Sequence, residues 1–274
     1  MLISSNSGTY AGRTGKPRYT LFESAELLAK AGFKAIDVNF CRCTYQEPFE
    51  REDILDGDNW QENILRLKDR LAELNLVPVM SHQPFRYDYK SPIPAYEHEM
   101  MFRAIDACSL LGIPYTVVHP LRANDEAKTM LVEKTIEAFI PIQKYAAERG
   151  VCLAMENMFN TTADELVEIV DRVGCAACWD TGHANFGHQP QGESIRKLGY
   201  RLKALHINDN FGTADNHTPP FLGTANWPEI MQALKDVNYD GPFNYEVMTH
   251  RLPEENREEY VAYLIKTAKY LLSL

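Results

Sequence analysis

Four ionisable residues in the second half of the chain, Glu156, Asp180, His206 and Glu246, each stand at the end of a short apolar run: VCLAM, ACW, LKAL and FNY. An apolar run that ends on a polar residue is how a buried parallel strand delivers one side chain to the rim at its carboxyl end. His82 and His119 close two earlier runs of the same kind, His183 lies three residues beyond Asp180, and Asp215 and His217 follow the run of His206. Each of these alone is an ordinary polar residue. Gathered on one rim, five of the eight histidines and four carboxylates repel one another unless a cation compensates them. A mixture of imidazole and carboxylate suits one divalent metal, Mn²⁺, Co²⁺, Mg²⁺ or Zn²⁺.

Whether they share a rim depends on the elements that carry them. Strand-like runs at 2–5, 35–40, 77–82, 115–120, 151–157, 177–182, 202–209 and 243–247 alternate with helix-period segments at 20–32, 59–74, 95–111, 127–149, 163–173, 194–199, 227–237 and 254–272. Such alternation implies parallel strands joined by right-handed crossovers. Eight units in this length predict one closed (β/α)₈ barrel, whose carboxyl-terminal face is the catalytic one. An open doubly wound sheet is the alternative. No linker-like stretch or repeat divides the chain, so residues 1–274 are expected to form one domain.

The formal net charge of −10, with no Lys/Arg-rich run, argues against a nucleic-acid partner, which normally meets a basic footprint. A small neutral or metal-chelating ligand fits better. The amino terminus lacks the pattern of a secretory signal, and no apolar stretch approaches the ~18 residues of a membrane span. A cytoplasmic protein is expected, with self-association into a homo-oligomer left open. The six cysteines, including C-x-C at 41–43 and C-x-x-C at 175–178, read as reduced structural thiols.

The segments VVHP (117–120), LAMEN (153–157), WDTGHAN (179–185), LHINDN (205–210), DNHTPPFLGTANW (215–227) and NYEV (244–247) make the chain resemble the xylose-isomerase-like barrel superfamily. That group holds sugar isomerases and epimerases together with endonuclease IV. The resemblance implies that Glu156, Asp180, His206 and Glu246 bind one metal, and that Glu156 and Glu246 exchange protons with a sugar substrate. His183, with His82 and His119, would contact that substrate. The activity implied is a metal-dependent isomerase or epimerase of a sugar, sugar phosphate or polyol, working through an enediol. The metal acidifies the carbon-bound proton, and carboxylates move it.

The rival within the same superfamily is a multinuclear zinc phosphodiesterase acting on abasic DNA. Its ligand pattern can be traced through His82, His119, Glu156, Asp180, His183, His206, Asp215, His217 and Glu246, with Asp215 and His217 as extra ligands. The acidic charge and the loop TPPFLGTANW, closer to the P-P-G-x-G-x-x-x-W pattern of sugar isomerases, favour the sugar. Phe221 stands where that pattern has its first glycine. Thr162 and Gly212 stand near where ketose 3-epimerases carry an extra Glu and an Arg, which counts against that one specificity. Tyr10, Phe40, Trp60 and Phe85 are candidates for an apolar sugar-stacking wall, and Lys16, Arg86 and Arg122 for reaching a phosphate. His188 and His250 read as surface residues.

Overall fold

The computed structural model describes residues 1–10, 12, 16–44, 51–84, 95–126, 129–250 and 252–274. Its eight strands are β1 (Ile3–Asn6), β2 (Ala35–Asn39), β3 (Val77–His82), β4 (Tyr115–Val118), β5 (Cys152–Glu156), β6 (Ala176–Asp180), β7 (Leu202–His206) and β8 (Phe243–Tyr245). They pair in parallel in the order β7-β6-β5-β4-β3-β2-β1-β8. The two ends of that order meet one residue beyond β7. Ile207 N–H donates to Asn244 O at 2.8 Å, and Glu246 N–H donates to Ile207 O at 3.1 Å. The sheet is thus a closed (β/α)₈ barrel, and the open sheet is excluded because neither end strand is left as an edge.

The helices are α1 (Leu21–Ala31), α2 (Trp60–Glu73), α3 (Ala95–Leu111), α4 (Val132–Ala147), α5 (Ala163–Val173), α6 (Thr181–Phe186), α7 (Gln191–Leu198), α8 (Trp227–Asp236) and α9 (Arg257–Leu271). In α5 the local rules act together. Thr162 and Glu165 form a reciprocal capping box, Gly174 ends the helix at φ 73°, and Leu166, Ile169, Val170 and Val173 bury one face. The cap is worth about 1 kcal/mol, and each buried aliphatic side chain about 1.5–3 kcal/mol. Packing, not the cap, holds this helix on the barrel.

Alternate strand residues separate two apolar layers. Met80, Val117, Ala154, Ala176, Cys178 and Ala204 cluster inside the barrel, while Ile36, Val38, Leu153, Met155, Trp179 and Leu205 belong to the larger core beneath the helices. On β8, β1 and β2 the interior is polar instead. Ser4 Oγ donates to Asn244 Oδ1 at 2.8 Å, and the amides of Asn6 and Asn244 donate to Asp37 Oδ2 at 2.9 and 3.0 Å.

Several boundaries differ from the sequence expectation: the strand expected at 202–209 ends at His206, the helix expected at 194–199 starts at Gln191, and two further differences have a local cause. The strand expected at 177–182 stops at Asp180, whose carboxylate accepts the His183 N–H at 2.6 Å and starts α6. The helix expected from 127 starts at Val132, because Arg122 pairs antiparallel with Met130 and Leu131 N–H donates to Leu121 O at 2.9 Å. Among the described residues no helix is long and apolar enough to cross a membrane.

Candidate metal centre

Three inward-facing strand ends and one residue just past a fourth bring Glu156, Asp180, His206 and Glu246 together. One donor atom from each lies within 4.8 Å of the others. His206 Nδ1 is the hub: Glu156 Oε1 is 2.9 Å away, Glu246 Oε2 3.1 Å and Asp180 Oδ2 3.9 Å. The side chains of Glu156, Asp180 and His206 have no exposure, and only that of Glu246, at 12%, opens to the cavity above.

Charge in this nest is unevenly held. Burial opposes ionisation of Glu156, but His206 and His119 beside it keep its pKa well below the usual carboxylate range. Burial likewise opposes Glu246, and His206 and His217 bring it down to about 2. Asp180 goes the other way: burial first, then the charges of Glu156 and Glu246, push it up to about 7. Burial disfavours a charged His206, yet Cys178, Glu246 and Glu156 hold its pKa well above the ordinary value. The positive charge of that imidazolium stands among three carboxylates, where a cation would stand. The donor set, one imidazole and three carboxylates, fits a divalent metal of the Mn²⁺, Co²⁺, Zn²⁺ or Mg²⁺ type.

The remaining candidates fall around this nest in three further groups of donors, one of which joins His82 to His206 and Glu246. His82 and His119 converge on Glu156, and His183, Asp215 and His217 form a separate trio. His119 Nε2 is 2.8 Å from Glu156 Oε2, and His217 Nε2 is 3.1 Å from Asp215 Oδ2. Burial lowers His119 to about 4. At His217 burial works the same way, but Asp215 outweighs it and raises the pKa to about 10. Three of these rings turn Nδ1 to a backbone carbonyl: His82 to Gln83 (3.0 Å), His183 to Asn157 (2.9 Å) and His217 to Glu246 (2.7 Å). That leaves their Nε2 atoms to the cavity side.

The cavity encloses about 210 Å³ and is lined by His82, His119, His183, His217, Asp215, Glu246 and Arg122, with Met158, Phe159 and Met248 as its apolar wall. Of the stacking candidates, Tyr10, Phe40 and Trp60 are instead buried in the core, and Phe85 lies outside the described residues. Phe159, with the Arg122 guanidinium 5.1 Å from its ring centroid, takes that place; no apolar run marked it in sequence. Of the phosphate candidates Arg122 lines the cavity, Lys16 is exposed and absent from its lining, and Arg86 lies outside the described residues. His188 and His250 are at the surface, as expected. Thr162 is occupied as a helix cap.

Three residues that sequence reasoning passed over serve the site. Cys41 Sγ sits 2.9 Å from His82 Nδ1. Asp209 gathers the loop that carries Asp215 and His217: its carboxylate accepts from the backbone of Asn210, Phe221 and Ala225 and from Trp227 Nε1, at 2.8–3.1 Å. Asp37 lies beneath His206, its Oδ2 3.8 Å from His206 Nε2.

Residues 25–268 match the family described as xylose isomerase-like TIM barrel. The chain belongs to that family. Among curated proteins it is 29% identical over 165 residues to the uncharacterized protein y4fM of Sinorhizobium fredii, covering 56% of this chain and 53% of the relative. It is 35% identical over 109 residues to D-psicose 3-epimerase of Enterocloster bolteae, covering 36% of this chain and 35% of the relative. To the probable endonuclease 4 of Methanoculleus marisnigri it is 34% identical over 122 residues, covering 39% and 43%. The aligned region thus spans about half the length of the first relative and less of the other two. Solved structures share the fold over nearly the full chain. One is a D-tagatose 3-epimerase-like protein at TM-score 0.75 and 20% identity, covering 100% of this chain and 98% of that one. Another is D-psicose 3-epimerase in the presence of D-fructose, at 0.76 and 17%, covering 99% of each.

Proposed function

We propose that this chain is a divalent-metal-dependent isomerase or epimerase of a sugar or polyol, moving a proton through an enediol. The observation that carries the reading is the position of Glu246: it belongs to the buried donor set and alone of the four faces the cavity. The relatives named as sugar epimerases support the substrate class.

A metal held by Glu156, Asp180, His206 and Glu246 would polarise a carbonyl and its neighbouring hydroxyl, acidifying the carbon-bound proton between them. Glu246, kept ionised by His206 and His217, is placed to take that proton from a substrate in the cavity. The family resemblance gives the return of a proton to Glu156 on β5, three strands from β8 around the ring. His183 and His119 face the same space and supply hydrogen bonds to hydroxyl groups. Met158, Phe159 and Met248 limit water at the reacting carbon.

The test is a panel of ketoses and aldoses assayed with added Mn²⁺, Co²⁺, Mg²⁺ and Zn²⁺ for deuterium uptake from solvent. Exchange into one sugar, lost on Glu246→Gln by about 10²–10⁴-fold, is expected. Normal exchange in that variant removes Glu246 from the proton path.

A second reading, the multinuclear phosphodiesterase, is favoured by one specific observation: the nine residues of its pattern assemble as four donor groups, three of them sharing residues. Three zinc ions per chain by elemental analysis would select it, whereas one Mn or Co selects the sugar reaction. The net charge of −10 and the absence of a basic run oppose a DNA substrate.

A further inference from the structure

The imidazole of His206 is set in the opposite sense to those of its neighbours. His82, His183 and His217 each rest Nδ1 on a backbone carbonyl, so their protons are placed by the main chain. His206 directs Nδ1 at the three carboxylates of the donor set, and its Nε2 points into the barrel. No residue among those described makes a hydrogen bond with that Nε2, though it is fully buried. Asp37, also fully buried, comes within 3.8 Å. Its Oδ2 is fixed by the amides of Asn6 and Asn244, while its Oδ1 has no hydrogen-bond partner among the described residues. A buried imidazole nitrogen without a partner therefore lies beside a buried carboxylate that has one oxygen held and one unsatisfied. Leaving either so costs about 1–3 kcal/mol.

A cation in the donor set changes what His206 must do. A ligating imidazole is neutral, and the nitrogen that binds carries no proton. With Nδ1 as the ligand, the one remaining proton sits on Nε2 and needs an acceptor. The carboxylate beside it is Asp37, whose Oδ2 is 3.8 Å away. We propose that Asp37 is a positioning residue of the metal centre, holding the Nε2 proton of His206 so that Nδ1 is free to ligate. This rests on the metal-dependent reading of the same site. It assigns to β2 a part in a centre whose donors come from β5 to β8.

The test uses the full chain, stripped of metal and titrated with Mn²⁺ by calorimetry. Asp37→Asn keeps the shape and a carbonyl for Asn6 and Asn244 but removes the charge. Its affinity should fall about 10–100-fold, the usual effect of losing such a partner. Ser4→Ala disturbs the same polar layer by removing the donor to Asn244 Oδ1 and leaves both amides on the carboxylate, so it should stay within about threefold of the parent. Asp37→Asn within threefold, or an equal loss in both variants, overturns the proposal. Should Asp37→Asn fail to fold, ¹⁵N-histidine spectra of the parent chain loaded with Zn²⁺ decide. A His206 proton retained on Nε2 with Nδ1 bound to metal supports the proposal, and the reverse assignment overturns it. A parent chain that binds neither ion overturns the metal reading itself, and this proposal with it.

Discussion

On the proposed metal reading, proton and metal would compete for the same atoms in this nest. His206 holds its proton well above the ordinary imidazole range, and Asp180 holds one up to about 7. Metal affinity should therefore weaken as pH falls below about 7, releasing more protons per ion bound; a calorimetric titration repeated from pH 5.5 to 8 in buffers of different ionisation enthalpy checks this. A flat profile would mean that neither group ligates. The stability of the metal-free chain carries its own sign. Asp180 is raised above its ordinary 3.8 and His217 above 6.5, to about 10. Both contributions are full below those ordinary values and are lost as pH rises through the folded ones. Between about pH 4 and 6.5 His119, lowered to about 4, works in the opposite sense and offsets Asp180. Chelated protein should thus lose thermal stability mainly between about pH 6.5 and 10, and metal-loaded protein should lose less. The convergence of Glu156, Asp180, His206 and Glu246 was legible in sequence because each ends an apolar run. Asp37 was not: inside AIDVNF it reads as one polar residue in a strand, and only the closed ring brings β2 against a side chain of β7.

At the scale of elements, two glycines explain why the loops keep their shape. A Cβ on Gly182 would lie 1.7 Å from Asn208 Oδ1, and Asn208 Nδ2 donates to Asp180 Oδ2 at 2.9 Å. Gly182→Ala should cost about 1–3 kcal/mol through overpacking and weaken metal binding by turning that amide away; denaturation and metal titration together report it. A Cβ on Gly223 would meet Asp209 Oδ1 at 2.2 Å, loosening the carboxylate that gathers the loop of Asp215 and His217. Phe221 adopts φ 71°, a left-handed turn that a glycine takes freely, at about 1–2 kcal/mol of backbone cost. It also stacks toward Trp227 and Tyr270, with centroids 6.2 and 5.8 Å away. Phe221→Gly should therefore relieve the backbone and lose that packing, leaving a small net change in the thermal midpoint. The strands and long helices were readable from periodicity. Helix α6 was not, because DTGH continues an apolar run and its start depends on a side-chain cap.

For the whole molecule, an ion bound by four donors stabilises the folded chain by mass action. At a free concentration one hundred times Kd the gain is about 2.7 kcal/mol. At roughly 2–4 °C per kcal/mol for a domain of this size, the midpoint should rise about 5–10 °C and fall back with a chelator. Where that gain is felt follows from how the ring closes. β7 and β8 are joined by the bonds that Ile207 makes with Asn244 and Glu246, and the donors His206 and Glu246 stand one on each side of that join. A cation bound there would then be a clasp on that seam, coupling metal loading to the breathing of the sheet. Hydrogen exchange should show the amides of Ile207 and Glu246 opening when the ion is removed, while those in the middle of β5 stay closed. Equal protection in both states would show that the seam holds without its clasp.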